Sequence, residues 1–145
     1  MSTITTTAPV ERTTHPVRRA AVVSGLAATA ATSAFAAIAS AAGVPFEIDG
    51  EAIPVSGFAT MTLLGAVLGA LLLLVTNRYA AQPRRRFLQI TVALTALSCV
   101  PSLLSPPDTA SKIALVSSHM LAAAIIIPVL ARNAASQGAT QCPSI

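Results

Sequence analysis

Four stretches of the chain run long enough without a charged side chain to cross a bilayer: residues 20–44, 57–76, 87–104 and 113–130. A hydrocarbon core of about 30 Å takes roughly 20 apolar residues in a helix. Lipid offers the backbone no hydrogen-bond partners, so each stretch is predicted to be a helix and not an open strand. The expected fold class is therefore an all-α membrane protein, a four-helix transmembrane bundle spanning residues 20–132. The first stretch is mostly Ala, Gly, Ser and Thr, whereas the second carries the run Leu71-Leu72-Leu73-Leu74-Val75. The third and fourth lie near the short limit for a span. Residues 1–19, Thr-rich with Pro9 and Pro16, and the polar residues 133–145 lack helical periodicity and are expected to be tails.

The charges then order the four spans. Arg12, Arg18 and Arg19 precede the first, Arg78 and Arg84 to Arg86 separate the second and third, and Arg132 follows the fourth. Of nine cations, Lys112 alone falls on the opposite side, with Glu47, Asp49, Glu51 and Asp108; Glu11 is the one acid among the arginines. Because basic loops stay in the cytoplasm, both termini are expected there, in the cell membrane, with the acidic loops outside.

Composition supports this reading. Hydrophobic residues make up 54% of the 145 and charged residues 10%, with a mean hydropathy of +0.73. A soluble domain carries roughly 25% charged residues. The net charge of +4 and a pI near 10.1 follow from the loop arginines. With 3% aromatics and no Trp, the chain lacks the stacking surface of a nucleic-acid binder. Arg18-Arg19, the first apolar stretch and Ala37-Ile38-Ala39 also suit a cleavable signal peptide. That stretch is longer than the usual 7 to 15 residues, which favours a retained span.

Helices in lipid associate through small residues. Ser24, Ala28, Thr32 and Ala36 give the first span a small-residue face suited to a bundle interior, and Gly65-Ala66-Val67-Leu68-Gly69 is a GxxxG step in the second. The step serves packing within the chain or a homo-oligomer seam. Leu71 to Leu74 and Ile125 to Ile127 are expected to face lipid. Arg84, Arg85 and Arg86 are expected to anchor the topology and can bind anionic lipid headgroups.

Candidate chemistry centres on His119. Counted from Ile113, it sits about 9 Å below the outer edge, a depth at which polar groups face a bundle interior or a wet cavity. Its same-face neighbours are apolar, so its partner is expected on another span. Thr60, Thr62, Ser98, Cys99, Ser102, Asp108 and Lys112 fall at comparable outer positions, beneath a loop carrying Glu47, Asp49 and Glu51. Two readings stay open. In one, His119 is a neutral interhelical hydrogen-bonder and Asp108, in Pro106-Pro107-Asp108-Thr109, caps a helix. In the other, an outer-half pocket holds a lipid or small lipophile, and His119 acts as acid or base with Glu51 or Asp49. A membrane enzyme isomerising, cyclising or hydrolysing a lipophilic substrate is the corresponding alternative function. No metal site or cofactor is expected, since no His or Cys pair has ligand spacing.

The segments Ile48-Asp49-Gly50-Glu51-Ala52-Ile53-Pro54, Gly57-Phe58, the GxxxG step, Arg84-Arg85-Arg86-Phe87, Thr109 through His119, and Ile127-Pro128 carry a likeness. The chain resembles a family of small four-span membrane proteins, common in actinobacteria, whose function is unknown. That resemblance implies the four-helix topology and no activity. It marks Asp49, Glu51, Arg85, Asp108, Lys112 and His119 as the polar positions of interest.

Overall fold

The structure, a computed structural model, describes residues 14–48, 51–104 and 108–134. Helix α1 spans Thr14–Ala41, α2 Val55–Tyr79, α3 Pro83–Leu104 and α4 Thr109–Ala131. A two-stranded antiparallel hairpin, β1 (Glu47–Ile48) with β2 (Glu51–Ala52), lies between α1 and α2, where a plain loop was expected. All four helices are long and apolar enough to cross a membrane. The shortest, with 22 residues, extends about 33 Å at 1.5 Å per residue, enough for the hydrocarbon core.

Every helix departs from its expected bounds: α2 runs Val55–Tyr79 where 57–76 was expected, and the other three differ for local reasons. α1 starts at Thr14, so residues 14–19, expected in the tail, are helical. It stops three residues early, at Ala41 rather than Val44, in a Schellman cap. The Val44 N–H donates to Ala39 O and the Gly43 N–H to Ser40 O, with Gly43 at φ +92°. α3 begins at Pro83 rather than Phe87, because proline at the first helical position has no N–H to satisfy and a preset φ. Arg84 to Arg86 are therefore helical. α4 begins at Thr109 rather than Ile113, directly after its cap Asp108.

The helices form a four-cornered bundle. α1 packs on α2 and α4, α3 packs on α2 and α4, and α2 also touches α4 across the short diagonal. The small-residue face of α1 lies inside: Ser24 and Thr32 are 1% exposed, Ala28 and Ala36 0%. A Cβ on Gly25 would stand 3.1 Å from that of Ala66, so the α1–α2 contact depends on a missing side chain. The GxxxG step divides. Gly69 lies under Leu130 and Ile126 of α4, whereas Gly65 has nothing within 4 Å.

Two apolar clusters fill the bundle. One joins Val17, Leu73, Phe87, Ile126 and Leu130 near the arginine end. The other joins Ala36, Phe46, Phe58, Ala114 and Leu115 near the hairpin. Leu73 and Ile126, expected to face lipid, are buried, because a four-residue apolar run visits every face of a helix. Outward-facing bulk comes instead from residues such as Val22, Leu26, Met61, Leu68, Leu97 and Ile113, all more than half exposed. In water such a surface would be unstable; in lipid it is the expected one.

Candidate functional site

Short connections make successive helices antiparallel, which gathers the arginines at one end. Asn77, near the end of α2, donates from Nδ2 to the Asn133 carbonyl beyond α4 (3.3 Å) and ties that end together. Arg18, Arg19, Arg78, Arg84, Arg85, Arg86 and Arg132 lie there, and among the described residues no carboxylate does. Glu47, Glu51, Asp108 and Lys112 occupy the other end. Arg12 and Glu11 lie outside the described residues, as does Asp49.

The hairpin end is built around Ser111. Asp108 caps α4, accepting the Ser111 N–H at Oδ1 (2.8 Å). The fully buried Ser111 Oγ in turn accepts the Phe46 N–H at 3.1 Å. Hydrogen bonding from the Ser111 hydroxyl first, then from its N–H, holds the Asp108 carboxyl below its ordinary pKa range. The second oxygen, Oδ2, is shielded and has no hydrogen-bond partner, although the residue itself sits at the rim. Phe46 takes φ +48°, a left-handed conformation that costs a bulky residue energy. It is held there by three contacts: the bond to Ser111, the Ile53 N–H on its carbonyl (2.8 Å), and the Phe58 ring at 5.0 Å edge-on.

His119 stands elsewhere. With α4 beginning at Thr109, it lies about 15 Å along the helix, near its middle. Its Nδ1 is 2.8 Å from the Leu115 carbonyl of its own helix, where a partner on another span was expected. A carbonyl only accepts, so Nδ1 carries the proton and, in the neutral ring, Nε2 keeps its lone pair.

The other predicted residues behave likewise. Thr60 is exposed and bonds back to Ser56 O (3.0 Å). Ser98 bonds to Thr95 O (2.8 Å) and Ser102 to Ser98 O (3.5 Å), continuing a ladder begun by Thr91 and Thr95. Cys99 is buried as a free thiol. Glu51 is exposed on the hairpin and Lys112 half-buried one turn into α4. Asp108 is thus joined to Ser111 and Phe46, and no hydrogen bond joins His119 to Glu51 or Lys112. Hydroxyls in apolar surroundings satisfy themselves on the carbonyl one turn back. Among the described residues, the one hydroxyl pair bridging two helices is Thr32 to Thr62, 2.9 Å between Oγ1 atoms. Among the described residues no cluster of His, Cys, Asp or Glu could hold a metal ion.

A cleft of about 500 Å³ opens at the arginine end, between the last residues of α2 and the first turns of α3. Tyr79, Gln82, Arg85, Arg86 and Gln89 line it, with Ala80 and Ala81. Arg85 Nη1 reaches Gln82 Oε1 at 3.4 Å, and the Arg78 guanidinium lies 5.7 Å from the Tyr79 ring. Arg85 and Arg86 were legible in the sequence. Gln82 and Gln89 were not picked out, although with the two arginines they form one face at i, i+3, i+4 and i+7.

An antiparallel bundle of four apolar helices, with cations at one end and acids at the other, is the architecture of a small multi-pass membrane protein. Residues 12–136 match the family of unknown function DUF6069, and the chain belongs to that family. No curated protein and no solved structure matches it significantly.

Proposed function

We propose that the chain is a binding or structural module of the cell membrane, with both termini in the cytoplasm and its arginine end against the inner leaflet. Its partners are membrane lipids. The observation that carries this reading is the segregation of seven described arginines from the carboxylates across an apolar, outward-facing bundle. A non-catalytic role is favoured by the polar residues themselves: His119, Thr60, Ser98 and Ser102 each spend a hydrogen bond on their own helix. Acid–base chemistry at His119 has less support, because its ring bonds to its own helix while Glu51 is exposed on the hairpin, with no hydrogen bond between them. An actinobacterial source is part of the same reading and rests on the sequence resemblance.

Membrane-impermeant thiol labelling of intact cells tests the orientation. In a background with Cys99 and Cys142 replaced by Ser, Glu51→Cys should label from outside and Gln82→Cys only after permeabilisation. The reverse pattern would overturn the proposal.

A further inference from the structure

We infer that the cleft at the α2–α3 turn is a binding site for the phosphate of an anionic phospholipid, with Arg85 and Arg86 as its ligands. This deepens the proposed membrane reading and rests on it.

The cleft has a volume of about 500 Å³, within the roughly 300 to 1,000 Å³ range of small-molecule sites. Among the described residues no carboxylate lies at this end to pair with its cationic groups. Arg85 has one long contact, to Gln82, which leaves most of its guanidinium donors available. A guanidinium presents two parallel N–H groups to two phosphate oxygens, a geometry that an ammonium cannot supply.

Depth favours a lipid over a soluble anion. Gln89 lies about 9 Å along α3 from Pro83, so the polar face descends from the helix start towards the hydrocarbon. Gln82 and Gln89 carry amides that both donate and accept, suited to the hydroxyl of a glycerol headgroup or to ester carbonyls. Tyr79, amphipathic and exposed, closes the cleft at the level where interfacial aromatics sit. A lipid binding here would place its phosphate on the arginines and its acyl chains along the exposed apolar surface of the bundle.

The test uses the full chain in nanodiscs made of equal parts phosphatidylglycerol and phosphatidylcholine, with retained lipids identified by native mass spectrometry. Wild type should retain phosphatidylglycerol preferentially. Arg85→Gln with Arg86→Gln should cut that preference roughly thirtyfold, at about fivefold per interfacial arginine. Arg18→Gln with Arg19→Gln removes the same charge from the same end and should leave most of the preference. Equal loss in the two pairs would overturn the site in favour of diffuse charge attraction.

Should the Gln pair fail to fold, Arg85→Lys with Arg86→Lys keeps the charge. It should still lose part of the preference, and full retention would overturn the bidentate site. Inorganic phosphate titrated onto protein in neutral detergent should not bind appreciably. Binding there that disappears with the Gln pair, alongside an unchanged lipid preference, would assign the cleft to a soluble phosphate compound instead. Flotation with phosphatidylcholine vesicles separates the two levels. Protein that fails to float overturns the membrane reading, whereas protein that floats without lipid preference overturns the cleft alone.

Discussion

The backbone N–H of Phe46 donates to the side-chain oxygen of Ser111, 65 residues further along the chain. That bond fastens the connection after α1 onto the first turn of α4, where Asp108 already holds the Ser111 N–H. The two helices it links also pack along their length. Ser111 is thus the point at which a cap and a tertiary contact share one residue.

Ser111→Ala should lower stability by roughly 1–3 kcal/mol, because it strands the buried Phe46 N–H without an acceptor. Thermal melts of the detergent-solubilised protein would show it. An unchanged midpoint would mean that the Phe46 conformation is held by ring packing and the Ile53 bond alone.

The cap also predicts a pH dependence. The folded-state pKa of Asp108 is lowered, so its contribution is fully present above the ordinary carboxylate range and is lost as pH falls through the lowered value. The melting midpoint should hold down to about pH 4 and decline below it. Asp108→Asn, which retains an accepting oxygen but does not titrate, should flatten that decline. A decline identical in wild type and variant would remove Asp108 as its source.

Two glycines of similar appearance should respond oppositely. Gly25→Leu drives a side chain into Ala66 across α1 and α2 and should cost roughly 1–3 kcal/mol. Gly65→Leu meets nothing within the chain and should leave the monomer's stability unchanged or slightly improved. If Gly65→Leu instead breaks a dimer in crosslinking, the unpacked half of the GxxxG step serves a second copy.

The Thr32–Thr62 pair should show a coupling of about 0.6 kcal/mol in a double-mutant cycle with valine, the average for hydrogen bonds between membrane helices. Zero coupling would leave α1 and α2 held by small-residue packing alone.

His119→Ala should fold normally, with lipid retention unaltered, since the ring's hydrogen bond is to Leu115 of its own helix. A pH-dependent activity that disappears in this variant and in His119→Gln would restore the acid–base reading.

The membrane helices and the Asp108 cap were legible because lipid removes alternatives. Uncharged runs of this length have one stable backbone form, and Pro-Pro-Asp-Thr is a local start signal. The Asp49-Gly50 pair between short strand-formers is a hairpin signal of the same local kind. The hydrogen-bond partner of His119 was not legible. A hydroxyl or imidazole on a helix looks the same in sequence whether its partner is across the bundle or one turn back. The four residues that α4 gains at its start also put His119 near the middle of the helix.

By itself the amino-acid order determined the number of apolar helices, their antiparallel course and the division of cations from carboxylates, since each follows from transfer energies along a single chain. Tertiary structure decided which half of the GxxxG step is packed, which leucine of a uniform run is buried, and that Ser111 fastens the α1–α2 connection to the first turn of α4. It also decided that Arg85 and Arg86 share a cleft with two glutamines. Those outcomes depend on how helices rotate against one another, and in a bundle packed through small side chains that rotation is set by contacts between residues far apart in the chain.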